Sequence, residues 1–536
     1  MSHAHSLRKS LCLYLLCITV SLTGASSVFA KLSGSQLVRG NAAEPESLDP
    51  QQIHSLPAIN IANDLFDGLV TRDRSWDIVP AQATRWEVSN NGRVWTFHLR
   101  QSDWSNGTPV TAEDFVYAWQ RAVDPKTASP YAWYLEMLGI SHADAIIRGE
   151  LPPSHLGITA KSPDTLEVKL DRPLAWFLET LTHPVLFPVP REVVKEHGEN
   201  WIDKNNIVSN GTYTLTDWIV NEHIVLTANK RHPAYRHLKI SQVSYLPLTS
   251  PSAEYHRYQA GELDITSGLP ANFYAHIKKK QAEEIQLSRL LGTEYYAFNT
   301  RKAPFMEANL RKALAYAIDR QVLTDKVLGE GQIPAYTFTP PYTSSMPDYT
   351  PNYQLMSSEE RLAAAREFYR QAGYSSTNPL KVRILYNTSE SRKKIAIAIA
   401  QMWKQGLGVD VELVNQEWKA AIESIKTGQF DLARASWIAD FDEASSMLSI
   451  FASDHSSNKA RFHYPEYDRL MTTALTTLDI HKREKLYEKL EGILNQEMPV
   501  IPLYHYVTAR LVSPRVGNYY SSPQDQVYTR HLYLKQ

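Results

Sequence analysis

The sequence predicts an α/β fold spread over more than one domain, and three observations carry that prediction. From residue 379 to 438 strand-like and helix-like segments alternate, reading β-α-β-α-β. The chain has 536 residues, more than one ordinary hydrophobic core organises. Its hydrophobic share of 43% and charged share of 21% are those of a globular chain that folds in water. The formal net charge of −1 gives no attraction for nucleic acid or anionic membranes.

The first thirty residues are of a different kind. Arg8 and Lys9 precede an apolar run, "LCLYLLCITVSL", and "SSVFA" puts small residues where a signal peptidase reads. The run is too short to span a bilayer, so residues 1–30 are predicted to be a secretory signal peptide cut after Ala30. Both cysteines, Cys12 and Cys17, lie inside it, and Leu16 before Cys17 makes a poor lipidation site. Cleavage would leave 54 Lys and Arg against 57 Asp and Glu, a charge of −3, and a thiol-free chain stabilised by its cores. No later stretch approaches eighteen apolar residues, so the remainder is expected to stand free of the membrane.

Next, "TRWEVSNNGRVWTFHLRQ" reads as a hairpin. Asn90-Asn91-Gly92 makes the turn, and Trp95, Phe97 and Leu99 alternate with polar residues. In "GTPVTAEDFVYAWQR", Thr111 and Asp114 form a capping box ahead of the apolar stripe Phe115, Ala118 and Trp119. "LGEGQIPA" begins like a dinucleotide loop, but Pro334 stands where the helix should start. "SSEERLAAAREFYRQAGY" is a helix with Ser357 as cap, Glu360 three residues on, and Gly373 at its end. "PLKVRILYN", "VDVELVN" and "FDLARASWI" then read as strands joined by the helices "SRKKIAIAIAQMWKQG" and "EWKAAIESIKTG". Such a run predicts a parallel sheet, whose ligands gather at the carboxyl ends of the strands.

At one such end stands "SWIADFDEASS", with Asp440, Asp442 and Glu443 in four residues. One reading is a helix start, with Asp440 as N-cap and Glu443 completing a capping box. The other is a ligand site. As an acid/base pair Asp440 and Asp442 would point to opposite faces of a continued strand. Nucleophile and phosphate-loop motifs are missing, and His232 and His237 lack ligand spacing and neighbouring acids. No catalytic residue, metal site or cofactor is therefore expected.

Five segments resemble a known family: "LDPQQIHSLPAINIANDLFDGLV", "RVWTFHLRQSDWSNGTPVTAEDFVYAWQRAVDPKTASPYAWYL", "LYNTSESRKKIAIAIAQMWKQGLGVDVELVNQEWK", "FDLARASWIADFDEASS" and "YVTARLV". They are similar to the periplasmic oligopeptide-binding proteins, solute-binding subunits of ABC peptide importers. The resemblance implies a three-lobed, type II periplasmic-binding fold with an extra inserted lobe and a cleft that hinges shut. Lobe I would take residues 31–66, 191–291 and 508–536, lobe II residues 67–190, and lobe III residues 292–507. The implied ligands are short peptides, the implied partner is an inner-membrane ABC permease, and the implied place is the periplasm, as a monomer. An extended peptide adds as a strand, so main-chain hydrogen bonds carry affinity and roomy pockets tolerate its side chains. A murein-tripeptide or haem binder on the same fold and a secreted hydrolase are the competing readings.

The resemblance also assigns residues. Asp440 matches the aspartate that receives the ligand's α-ammonium. Arg434 matches an arginine near its carboxyl end, with a structural ion pair as the alternative. Trp418, Trp437, Tyr131 and Tyr506 match ligand-lining aromatics, with core packing as the alternative; Tyr295, Ser436 and Ile438 complete the set. This chain departs from the oligopeptide pattern toward the carboxyl end: Arg392 replaces a histidine, and Leu328 a lysine. A cysteine pair found elsewhere in the family is replaced by Gly292 and Ile438.

Overall fold

The computed structural model of the chain describes residues 36–270, 273–455, 457–520 and 522–535. Residues 1–30, predicted to be a signal peptide, and the predicted cleavage site lie outside them.

The local signals become structure where the physics was plainest. The hairpin pairs Ala83–Ser89 with Val94–Leu99, and Asn90, Asn91 and Gly92 all take positive φ. Asn and Gly tolerate that region, so the turn closes without strain on a branched side chain. Both capping boxes form, at the starts of helices Ala112–Val123 and Ser358–Gln371. Trp119 is fully buried and gives its indole N–H to the Leu186 carbonyl at 2.9 Å. Trp403 does the same to Leu314 at 2.8 Å. Each large ring is thus buried without stranding its donor.

Three sheets organise the molecule. A four-stranded sheet runs Gln36–Gly40, Gln242–Leu246, His223–Ala228, Tyr213–Ile219. An antiparallel sheet runs Ala83–Ser89, Val94–Leu99, Thr165–Lys169, Ile158–Ser162. The third, six-stranded, runs Ile333–Pro334, Val500–Leu511, Ile285–Phe298, Leu432–Ile438, Lys381–Asn387, Asp410–Gln416. The expected β-α-β-α-β run forms, with Lys381–Asn387 parallel to both its neighbours. The sheet is nevertheless mixed. Leu432–Ile438 pairs antiparallel with Ile285–Phe298, which pairs antiparallel with Val500–Leu511. The sequence run shows only the crossover strands; the others arrive from distant segments.

Energetically there are two bodies. Leu37 and Tyr245 share one continuous apolar core with Phe97 and Trp119, so the segments assigned to lobes I and II pack as a unit. Distant segments assigned to lobe I meet as well: Gln36–Gly40 pairs with Gln242–Leu246, and Arg39 donates to the Val527 carbonyl at 3.0 Å. Residues 292–507 bury their own cores, around Phe298 and Trp403 and around Tyr295 and Phe451. The long strands Ile285–Phe298 and Val500–Leu511 run from one body into the other. Their register slips between Arg289 and Thr293, a bulge at the point where the bodies separate.

Candidate functional site

Strand Leu432–Ile438 ends at an exposed Ile438, and the chain then turns across the gap between the bodies. Phe441 leaves the second body and stacks on Trp176 of the first, ring centroids 6.0 Å apart and 10° from parallel. Its backbone neighbour is pinned on both sides. The Asp440 amide donates to Ser446 Oγ at 2.9 Å, and its carbonyl accepts from Gln524 Nε2 at 3.1 Å.

The Asp440 carboxylate itself is unclaimed. Among the described residues it receives no hydrogen bond and no ion pair, although the surrounding chain is rich in both. The residue is open to solvent by area, yet the walls around it crowd the carboxyl enough to push its pKa up to about 6. Its charge reaches the opposite wall: the Tyr131 phenol is raised first by burial and next by Asp440. Tyr131 is half-buried, its ring 4.3 Å from His183, whose imidazole burial holds neutral with a pKa of about 3. An unpartnered carboxylate facing aromatic rings across a gap is suited to a cation.

The helix-start reading of these acids fails. The short helix begins at Ser445 with Ala444 as its cap, and Asp440 caps nothing. Asp442 and Glu443 are 5% and 2% exposed. Asp442 accepts from the Ser344 amide at 2.8 Å. Glu443 reaches the Ser445 amide but also takes Arg483 Nε at 3.0 Å and the Tyr487 hydroxyl at 2.7 Å. Two of the three acids are buried structural anchors, and their rigidity fixes the third.

Further along the strand, Arg434 makes a buried bidentate pair with Glu294 through Nε and Nη2. The Tyr506 hydroxyl also donates to Glu294 and accepts from Arg434 Nη2 at 3.2 Å. Burial alone would weaken the guanidinium's hold on its proton; Glu294 more than reverses this. The structural ion pair is thus real, and it leaves Nη1 as the remaining donor. Arg434 and Ser436 line a pocket of about 290 Å³. Arg392 is half-buried in the first turn of helix Glu390–Leu407, near enough to Tyr504 for its charge to be felt there. Trp437 is half-buried and donates Nε1–H to the Ser446 carbonyl at 2.7 Å, bracing the same turn. Ile438 is 57% exposed, paired across the sheet with Gly292.

Some expectations change. Tyr295 is 1% exposed with its ring edge-on to Phe338, so it belongs to the core of the second body and cannot line a cleft. His232 is not a surface histidine without acids: its side chain is 8% exposed and sits 2.8 Å from Asp67. Trp418 opens helix Trp418–Thr427, but its side chain lies outside the described residues. The sequence reading missed Glu294, Phe441 and Lys459. Glu294 had a signal, a lone acid in the apolar strand "GTEYYAF" that demands a buried partner. Among the described residues no group of His, Cys, Asp and Glu could hold a metal.

Comparison with known proteins agrees with this geometry. The profile of the bacterial extracellular solute-binding proteins, family 5 Middle, matches residues 77–459. The periplasmic murein peptide-binding protein MppA of Escherichia coli K12 is 43% identical over 528 residues, 98% of each chain. The unliganded open form of MppA superposes with a TM-score of 0.89 at 42% identity, covering 94% of this chain and 98% of the other. Haemophilus influenzae OppA in complex with the peptide RPPGFSPFR, also 42% identical, covers 94% and 99% but superposes at only 0.71. At equal identity and nearly equal coverage, this chain superposes better on the unliganded open form than on the peptide complex.

Proposed function

The chain belongs to the bacterial extracellular solute-binding proteins of family 5, and on that premise we propose that it captures short peptides between its two bodies and delivers them to an inner-membrane ABC permease. The observation that carries this reading is the unpartnered Asp440 carboxylate on the wall of an open cleft. A peptide supplies the complement, an α-ammonium followed by main-chain donors and acceptors. Closure of the two bodies about the long strands would bury the pair and signal occupancy to the permease.

The spacing of Arg434 and Asp440 sets an upper limit on ligands that touch both. Arg434 precedes Asp440 by six residues, so their Cα atoms lie up to about 20 Å apart along an extended chain. Extended peptides of three to five residues span about 10–17 Å, and the facing side chains cover the remainder. Ligand capture needs neither a cofactor nor a second copy of the chain. Among the described residues no helix is long and apolar enough to cross a membrane.

The reading is tested by incubating purified protein with a peptide library and identifying by mass spectrometry what co-purifies. Intact short peptides support it. Cleaved products would point to a hydrolase, and haem or a diaminopimelate tripeptide alone to the narrower binders. At the carboxyl end, Arg392 and the free Nη1 of Arg434 predict a preference for a free terminus, since a guanidinium binds carboxylate in a matched geometry. Calorimetry should show C-amidated tripeptides binding at least tenfold more weakly than free ones; equal affinities would make both arginines structural.

The relatives are periplasmic proteins by name, and the sequence of residues 1–30 fits export. Intact-mass measurement of the periplasmic fraction should give a chain starting at Lys31. A lipid-modified chain starting at Cys17 would contradict the cleavage site.

A further inference from the structure

We propose that the pocket beside Arg434 selects a carboxylate that the ligand carries besides its main-chain terminus, with Lys459 as the residue that determines this specificity. The proposal rests on the peptide-capture reading and adds the charge of the captured ligand. The pocket lies where strands Lys381–Asn387 and Leu432–Ile438 end, with apolar surface from Leu385, Ala421, Ile422 and Ile425. Its charged lining is all of one sign: Lys426, Arg434, Lys459 and Arg461, and no Asp or Glu.

Of these four, Arg434 alone has a carboxylate partner among the described residues, Glu294. Arg461 gives Nη2–H to the Lys426 carbonyl at 2.8 Å, and Lys426 is exposed. Lys459 is the anomaly. Its half-buried ammonium has one long contact, 3.4 Å to the Ser436 carbonyl, and no counter-ion among the described residues. Burial and then the neighbouring Arg434 weaken its hold on its proton, and the charge of Glu294, already paired with Arg434, offsets them only in part. A cationic surface facing bulk water would be an ordinary solvated face. A half-buried ammonium within reach of a neighbouring guanidinium's charge is instead relieved by an anion. The apolar surface beside it fits the methylenes that carry such a group.

An acidic side chain and the additional carboxyl groups of a murein peptide present the same chemistry. The test uses the full chain and calorimetry with tetra-alanine, its four single-Glu and four single-Gln derivatives, and the tripeptide Ala-γ-D-Glu-diaminopimelate. At one position Glu should bind at least tenfold more tightly than Gln. Lys459→Met should abolish that preference, Lys459→Arg should keep it, and Lys459→Glu should turn it into a preference for Lys there. If the Lys459-dependent gain appears only with the diaminopimelate tripeptide, the carboxylate comes from murein. Equal binding of Glu and Gln at every position and no Lys459 effect on the tripeptide would overturn the subsite while leaving peptide capture intact. A Glu preference that survives Lys459→Met would overturn the role of Lys459. Failure of every peptide to bind would overturn both readings.

Discussion

Asp440→Asn is expected to weaken peptide binding at least tenfold while leaving the unliganded protein as stable as before. Removing one partner of a desolvated charge pair costs about 2–5 kcal/mol, roughly thirty- to several-thousand-fold in affinity, and Asn retains hydrogen bonding at the low end of that range. The unliganded fold loses nothing, because no described group pairs with the carboxylate. The sign of its pKa strengthens the point. Crowding raises this carboxyl from its ordinary value of 3.8 to about 6. Ionised Asp440 therefore subtracts from stability, the loss accruing between about pH 4 and 6. Melting temperature at pH 7 should be unchanged or slightly higher in the Asn variant. Peptide binding runs the other way. The ammonium needs the ionised form, so affinity should be full above pH 7 and fall roughly tenfold by pH 5, and Asp440→Asn should flatten that profile. If Asp440→Asn binds normally and Asp442→Asn does not, the wrong carboxylate has been assigned.

Glu294→Gln is the second large effect, and it falls on stability. Arg434 and Glu294 are 7% and 1% exposed, and Tyr506 hydrogen-bonds both. Breaking a buried pair from one side leaves an uncompensated charge, costing about 3–5 kcal/mol. In a body of some two hundred residues that lowers its melting transition by on the order of 10 °C. Glu294→Gln with Arg434→Met removes both charges, and most of the loss should return. Differential scanning calorimetry separates the cases; a double variant no more stable than the single would show that the pair is not what holds the strands. The same substitution frees Nε and Nη2 of Arg434, so free-carboxylate peptides should gain affinity as stability falls.

The fold was legible wherever a short stretch carries its own physics. The Asn90-Asn91-Gly92 turn, both capping boxes and the crossover strands needed only local reasoning, and they form. The mixed character of the large sheet was not legible, because Ile285–Phe298 finds its partners 134–146 residues on in Leu432–Ile438 and 203–226 residues on in Val500–Leu511. In the site, "DFDE" announced three acids but not their division of labour. Asp442 and Glu443 are claimed by Ser344, Arg483 and Tyr487, all distant in sequence. Only the structure shows that Asp440 is the one left over. Tyr295, placed in the site by the resemblance alone, is instead buried against Phe338 in the core of the second body.

If Asp440 receives the free amine of a bound peptide, removing that amine must cost affinity. The direct measurement is calorimetric titration of the unmodified protein at pH 7.5 with one tripeptide and its N-acetylated form. Acetylation keeps every side chain and the carboxyl terminus and removes only the ammonium. The free peptide should bind, and acetylation should weaken binding at least thirtyfold. Equal affinity for the two would contradict that role of Asp440.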